Sequence, residues 1–298
     1  MDKRKSNSIS IAYALVAVMM WSTVATAFNI ALQELDYIQL LTYSTGVSFG
    51  VLTVIMLFSN RFSQLIKISK NDYSSLTIKG LINPFAYYLI LFKAYSLLPA
   101  NEAMILNYTW PIVLVVLSVI FLKQQFKKVD FLSVFFSFIG VVVIATKGNI
   151  FDVKFSNLFG TILAIGSSAV WAGYWILNMK NKVDTIIQLW FSFGVGFVAS
   201  VILFLVLGYP FNISNKIALA SIYVGLFEMS IPFIMWQFAL LRASNTAVVS
   251  KFVFLSPFLS LMIIALILKE TILISSYIGL FLIIGGILVH TFLGKKDR

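Results

Sequence analysis

Long apolar segments alternate with short polar connections along this chain. Each apolar run is about 20 residues long, which is the length of a helix that crosses a hydrocarbon core of about 30 Å. The runs are apolar on all sides, whereas the strands of a membrane barrel are about ten residues long and alternate in polarity. The pattern predicts an all-α integral membrane protein with ten transmembrane helices, at residues 9–32, 39–58, 75–97, 101–122, 129–146, 158–178, 185–207, 217–241, 246–268 and 272–293.

Composition supports this prediction and excludes several classes of protein. Of the 298 residues, 60% are hydrophobic and 11% are charged, whereas a soluble domain has about 45–50% and about 25%. These values exclude a soluble enzyme and a nucleic-acid-binding domain. The net charge of +11 would point to a nucleic-acid partner in a soluble protein, but in a membrane protein it reflects basic residues in cytoplasmic loops. The predicted partners are the lipid bilayer and a small-molecule solute, and no nucleic acid.

The positions of lysine and arginine predict the orientation of the chain. With the amino terminus inside, fifteen of the 22 Lys and Arg residues fall in cytoplasmic segments and four fall in outer loops. The other three, Lys79, Lys93 and Lys251, lie within predicted helices. Because cytoplasmic loops carry an excess of these residues, we predict a multi-pass protein of the cell (inner) membrane with both termini in the cytoplasm.

The chain offers few groups that suit catalysis or metal binding. It has no cysteine and a single histidine, His290, and no Walker or H-E-x-x-H motif is present. We therefore predict no cofactor, no metal site and no enzymatic activity. Two alternatives stay open. An integral-membrane enzyme acting on a lipid-linked substrate needs clustered catalytic groups at one membrane face, and a small-solute channel needs rings of like groups around a pore.

Two stretches of the chain resemble each other. Residues 95–124 and 240–270 each contain a short polar link, an apolar helix with an internal proline, and a lysine-bearing turn. The prolines, Pro111 and Pro257, stand at the same place in these stretches. The correspondence indicates an internal repeat.

Such a repeat divides the chain into two halves of five helices each. Because five is an odd number, the second copy crosses the membrane in the opposite sense to the first. This inverted arrangement is typical of secondary transporters, whose substrate site lies near mid-membrane between the repeats. We predict a first repeat at residues 1–148 and a second, inverted repeat at residues 149–298.

Four segments carry a resemblance to a known family. The segments are MMWSTVATAF (19–28), MILNYTWPIVLVVLSVIF (104–121), IGSSAVWAGYW (165–175) and WQFALLRASNT (236–246). In these segments the chain resembles the EamA-type drug/metabolite transporters. More narrowly, it resembles the branch that contains bacterial aromatic amino-acid exporters. The similarity covers nearly the whole chain, and NYTWP and WST are its most specific parts. It implies a ten-helix inverted-repeat fold around a central cavity. It further implies that the cavity is bordered by Trp21, Trp110 and Trp171, with Tyr87 or Tyr88 from the third helix.

Charged residues inside predicted helices are the strongest functional signal. Each costs about 2.5–3.5 kcal/mol at a helix centre on insertion scales, and Glu228 and Lys251 stand where the exporters carry uncharged residues. Glu228 lies near mid-membrane. In a functional role it holds a substrate ammonium group or carries a coupling proton. In a structural role it is a buried carboxylate that is protonated or paired. Lys251 pairs with Glu228, binds a substrate carboxylate, or extends to the cytoplasmic interface.

A second pair of charges lies near the outer membrane surface. Lys93 ends the third helix and Glu102 begins the fourth. They form an interfacial pair or gate, or Lys93 extends to the interface and Glu102 sits in the first turn of its helix.

Polar groups beside tryptophans favour a cavity wall over a lipid-facing surface. Asn107 lies close to Trp110, and hydroxyl groups lie close to Trp21 and Trp171. Flat rings with a few donors suit an aromatic or cationic solute, although the small residues also suit helix packing. Four prolines within predicted helices mark either hinges for alternating access or static kinks: Pro84, Pro111, Pro232 and Pro257.

Together these features predict a secondary transporter that exports small metabolites by alternating access. The favoured solutes are amino acids or related amphipathic molecules, and the resemblance favours aromatic ones. In this prediction Asn107, Glu228 and Lys251 contact the polar end of the solute.

Overall fold

The structure, a computed structural model, describes residues 3–122, 128–149, 156–178, 183–211, 213–242 and 251–293. Within these ranges every regular element is helical and there is no strand, which confirms the all-α prediction for this part of the chain. The α-helices are α1 (Lys3–Leu32), α2 (Tyr37–Phe58), α3 (Lys70–Gly80), α4 (Tyr87–Tyr95), α5 (Ala100–Asn107), α6 (Trp110–Leu122), α7 (Lys128–Ala145), α8 (Leu158–Asn178), α9 (Thr185–Val206), α10 (Asn215–Phe227), α11 (Ile231–Arg242), α12 (Leu255–Ile267) and α13 (Ile274–Leu293).

Six stretches in the described ranges are long and apolar enough to span a membrane. They are Ser8–Leu32, Tyr37–Phe58, Lys70–Tyr95, Leu158–Leu177, Thr185–Val206 and Asn215–Leu240. The remaining predicted spans correspond to shorter or interrupted helices, namely α5 with α6, α7, α12 and α13. Part of the predicted span at 246–268 lies outside the described residues. The count of ten transmembrane helices therefore stays a prediction.

Several predicted spans are interrupted instead of continuous. A π-helical segment (Leu81–Ala86) separates α3 from α4, and Asn83 within it has non-helical backbone angles (φ −141°, ψ 118°). Tyr108 and Thr109 separate α5 from α6, and a turn from Glu228 to Ser230 separates α10 from α11. Interrupted helices expose backbone polar groups inside the membrane, which is tolerated where they face protein or a cavity.

The interruptions recur at a constant spacing. Pro257 stands 146 positions after Pro111. Met229, in the turn between α10 and α11, stands the same 146 positions after Asn83. Phe254 likewise stands 146 positions after Tyr108. Phe254 ends a 3₁₀ segment (Lys251–Phe254) directly before α12.

The four prolines of the predicted hinges lie at these interruptions. Pro84 is inside the π-helical segment, and the other three lie in the first turns of α6, α11 and α12, at Pro111, Pro232 and Pro257. Proline is favoured in the first turn because that turn does not use its backbone N–H groups. These three prolines therefore stand at helix starts and not inside continuous helices, and their role as hinges stays a prediction.

Helix packing joins one half of the chain to the other. α1 packs along α11 and α12, and α8 packs along α4, α5 and α6. α2 packs along α9, and α7 packs along α13. In the last pair the backbones approach closely, since a Cβ at Gly140 would lie 2.6 Å from the carbonyl oxygen of Gly279. The interior of the molecule is thus formed between the halves.

Ion pairs also join the halves, at opposite ends of the helices. Lys216 Nζ lies 3.1 Å from Glu34 Oε1, which connects the start of α10 to the link between α1 and α2. At the other end Arg61, after α2, pairs with Asp184. The Asp184 carboxylate also accepts the backbone N–H of Ile186 at the start of α9.

Candidate solute-binding site

A buried carboxylate lies where α10 ends. Glu228 is 9% exposed, and the Oη of Tyr88 donates a hydrogen bond of 2.9 Å to its Oε1. The interruption between α10 and α11 positions Glu228, and α4, which follows the π-helical segment, positions Tyr88. The contact thus joins a tyrosine of the first half to a carboxylate of the second half in the interior of the molecule.

A chain of polar groups continues from the neighbouring tyrosine. The Oη of Tyr87 donates to Asn107 Oδ1 at 3.3 Å, and Asn107 Nδ2 donates to Ser167 Oγ at 2.9 Å. Close by, Thr109 Oγ1 donates to Ser168 Oγ at 3.0 Å. These bonds connect α4, the interruption between α5 and α6, and α8.

A second set of hydroxyl groups connects α1 to the other half. Ser22 Oγ on α1 lies 3.4 Å from Ser256 Oγ on α12. The Oη of Tyr223 donates to Thr23 Oγ1 at 2.6 Å. Hydroxyl groups beside Trp21 therefore bond across helices in this structure, which accords with the helix-packing interpretation of the small residues near Trp21.

Aromatic rings form a continuous wall beside these polar groups. The ring centroid of Trp171 lies 4.8 Å from that of Tyr87, 5.7 Å from that of Phe233 and 6.0 Å from that of Trp175. Phe233 also contacts Trp21 edge-on at 6.0 Å. Ring contacts therefore run from Tyr87 in the first half, through Trp171 and Phe233 in the second half, and back to Trp21 in the first.

The structure brings most of the predicted site residues together. Direct contacts, in part through Phe233, connect six of them: Trp21, Tyr87, Tyr88, Asn107, Trp171 and Glu228. Among the described residues no ring contact joins Trp110, which begins α6, to this group. Lys251 begins the 3₁₀ segment before α12, but its side chain lies outside the described part of the chain, so its predicted pairing with Glu228 stays a prediction.

Of the two interpretations of Lys93 and Glu102, the structure agrees with Glu102 in the first turn of its helix, and the pair is not formed. Lys93 Nζ lies 4.6 Å from the centre of the Tyr37 ring. Glu102 lies in the first turn of α5, its carboxylate accepts a hydrogen bond of 2.8 Å from Ser156, and Lys147 lies 3.7 Å from the same oxygen. Lys93 and Glu102 therefore each contact residues from other parts of the chain, which the tertiary fold brings next to them.

Two members of the wall were missed by sequence reasoning. Phe233 connects Trp171 to Trp21, but it is one of 28 phenylalanines and no local signal distinguishes it. Trp175 is not among the predicted site residues, and its Nε1 is buried without a hydrogen-bond partner among the described residues. It adds an unused donor to the end of the aromatic wall, where its ring contacts Trp171 and Tyr174.

Comparison with known proteins identifies the class. The EamA-like transporter family matches residues 8–146 and again residues 158–292, and the chain belongs to this family. It is 27% identical over 272 residues to the uncharacterized transporter YyaM of Bacillus subtilis (strain 168), covering 88% of this chain and 87% of that one. It is 25% identical to solute carrier family 35 member G1 of Homo sapiens, covering 74% of this chain and 62% of that one.

A solved crystal structure shares the fold. It superposes with a TM-score of 0.68 over the whole of both chains at 19% sequence identity. Family membership and the named relatives make this protein a multi-pass membrane transporter of small solutes.

Proposed function

We propose that this transporter exports amino acids or related amphipathic solutes across the cell (inner) membrane by alternating access. In this proposal residues 1–148 and 149–298 are inverted five-helix repeats, both termini are cytoplasmic, and the solute binds between the repeats. The observation that carries the proposal is the buried Glu228 carboxylate, bonded to Tyr88 and next to a wall of aromatic rings.

The chemistry of the site supports an amphipathic solute. Rings such as Trp171 and Phe233 offer flat apolar surface to an aromatic or aliphatic side chain. The Glu228 carboxylate suits an ammonium group, or it accepts the proton that couples transport. Asn107 offers both a donor and an acceptor to the polar end of a solute.

The packing supports the inverted repeats. α1 contacts α11 and α12 of the second half, and α8, which corresponds to α1, contacts α4, α5 and α6 of the first half. Two repeats related by a twofold axis in the membrane plane exchange contacts in this reciprocal way. The constant offset of 146 between the interruptions agrees with the same axis.

Transport in proteoliposomes tests the role of the carboxylate. We expect Glu228→Gln to abolish the exchange of labelled phenylalanine, tyrosine or tryptophan, or to remove its dependence on a pH gradient, because the amide neither pairs with an ammonium group nor carries a proton. The matched control is Glu34→Gln, which removes an equal charge from an exposed ion pair and is expected to leave exchange unchanged.

Three results would contradict parts of the proposal. Wild-type exchange with unchanged pH dependence in Glu228→Gln would remove this residue from the mechanism. A wild-type protein that exchanges other solutes but none of the amino acids would overturn the solute class. Flux that neither saturates nor exchanges would indicate a channel.

A further inference from the structure

Two buried polar side chains at the interruption between α3 and α4 are left unused by the proposed solute site. Asn83 is 0% exposed, and neither its Oδ1 nor its Nδ2 has a hydrogen-bond partner among the described residues. Ser192, on α9, is 1% exposed, and its Oγ also has no partner there. Buried polar groups without partners are destabilising, so their presence at one helix contact points to a missing ligand.

Glycines bring the backbone of this interruption directly against α9. A Cβ at Gly80 would lie 2.7 Å from the carbonyl oxygen of Ser192, and a Cβ at Gly196 would lie 2.9 Å from Cδ of Pro84. Asn83 lies between Gly80 and Pro84 in the chain, and its side chain is fully enclosed. The contact therefore brings the backbones on either side of Asn83 against the turn of α9 that runs from Ser192 to Gly196.

A backbone carbonyl adds a third oxygen to this contact. Pro84 has no N–H, so the ordinary helical bond to the carbonyl of Gly80 is absent. That oxygen faces α9, since a Cβ at Gly196 would lie 3.4 Å from it. A carbonyl oxygen has two lone pairs, and at least one remains for a ligand even where the π-helical turn uses the other.

A carboxylate is linked to this interruption through α4, and a basic residue precedes it. Tyr88, five residues after Asn83 in the chain, is bonded to the Glu228 carboxylate. The nearest basic residue in the sequence is Lys79, which precedes Gly80. Lys79 lies in the last turn of α3 and is 3% exposed. Because a buried positive charge repels a second one, the contact favours a singly charged ion over a divalent one.

We propose that the side-chain oxygens of Asn83 and Ser192, together with the Gly80 carbonyl, bind a monovalent cation of the size of Na⁺. Neutral oxygens from an amide, a hydroxyl and an interrupted helix suit a singly charged hard ion, whereas Ca²⁺ takes carboxylates and more ligands. A role of this ion in driving transport rests on the proposed function, but its binding does not.

Thermal unfolding of the purified protein in detergent tests the binding without any solute. At equal ionic strength, we expect NaCl to raise the melting temperature by about 2–4 °C over choline chloride and KCl, since a ligand that binds only the folded state stabilises it. Ser192→Ala is expected to lower the apparent sodium affinity about tenfold, the effect of about 1.4 kcal/mol. Asn83→Asp, which replaces the amide by a carboxylate, is expected to raise it.

The matched control is Ser200→Ala, on the same helix. Ser200 is equally buried, but its Oγ already donates to the carbonyl of Phe197 and lies 3.2 Å from Thr45 Oγ1, so its sodium response is expected to equal that of the wild type. Equal melting temperatures in all three salts would overturn the proposal and indicate that the contact holds only water. A wild-type sodium response in Ser192→Ala would overturn it too, because the ion would then bind elsewhere. Neither result depends on whether amino acids are transported.

Discussion

The interruption at Asn83 in the first half and the interruption at Glu228 in the second half stand at similar places in the chain, but they carry different side chains. Each separates two helices of one predicted span, and each has a proline within four residues, at Pro84 and Pro232. Asn83 is a neutral amide with no hydrogen-bond partner in the part of the chain that the structure describes, whereas Glu228 is an acid bonded to Tyr88 from the opposite half.

This difference indicates how a repeated scaffold serves an asymmetric solute. The backbone positions recur because both halves have similar patterns of apolar residues, small residues and proline. The side chains at those positions are free to differ, and in the sites we propose each meets a different part of the solute or a different ion. We infer that the first half mainly supplies neutral hydrogen-bonding groups and the second half supplies the acid and much of the aromatic wall.

Among the variants that compare the two halves, the largest effect is expected from removing the ring that connects them. Trp171→Ala loses contacts to Tyr87 and Phe233, and we expect exchange of the solute to fall at least tenfold, about the value of one good aromatic pair. Trp190→Ala is the control, since Trp190 contacts Phe49 and Phe62 away from this wall.

Both tryptophan variants are expected to lose at most about 3 kcal/mol of stability, because both rings are only half-buried. Thermal unfolding measures that loss, and counterflow in proteoliposomes measures exchange. Equal loss of exchange in the two variants would indicate that Trp171 acts only through stability.

A smaller effect separates the two adjacent tyrosines. Tyr88→Phe leaves the Glu228 carboxyl group buried without its partner, and hydrogen bonds to charged groups contribute about 1.5–3 kcal/mol. Tyr87→Phe removes a longer bond of 3.3 Å to the neutral Asn107, which contributes about 0.5–1.5 kcal/mol. We expect the first variant to reduce both the melting temperature and exchange more than the second. The reverse order would contradict the division between an acidic and a neutral half.

The smallest effect on stability and exchange is expected at the exposed ion pair between Lys216 and Glu34. Lys216→Gln breaks the ion pair with Glu34, which joins the halves where both side chains are largely exposed (78% and 45%). Exposed ion pairs contribute about 0–1 kcal/mol, so the melting temperature and exchange are expected to stay close to those of the wild type. A loss of stability and exchange comparable to that of Tyr88→Phe would show that this exposed ion pair, and not the buried contacts, holds the halves together.

Sequence reasoning predicted the helical class and much of the site. Apolar runs of membrane length predicted the spans because the bilayer has a fixed thickness, and six of them recur as helices of sufficient length in the described residues. The residues Glu228, Asn107 and Trp171 were identified because charged, amide and aromatic groups with polar neighbours are unusual in an apolar helix.

Other features escaped prediction because they depend on contacts distant in the sequence. Of the two interpretations of Lys93 and Glu102, the pair is not formed, because Lys93 contacts the Tyr37 ring and Glu102 contacts Lys147. Phe233 became part of the wall only because the halves pack against each other. The predicted continuous helices proved to be interrupted at Asn83 and Glu228.

The sequence by itself determined that this chain lies in a membrane as helices. It also identified the few polar residues within those helices as the ones to examine, because burying a charge in hydrocarbon is costly in any fold. Only the tertiary structure decided which of these residues meet. It placed the carboxylate of Glu228 next to the hydroxyl of Tyr88, 140 residues away, and it gave the side chains of Asn83 and Ser192 no hydrogen-bond partner within the described ranges. Such distances are set by the packing of the two halves, which no local pattern of residues specifies.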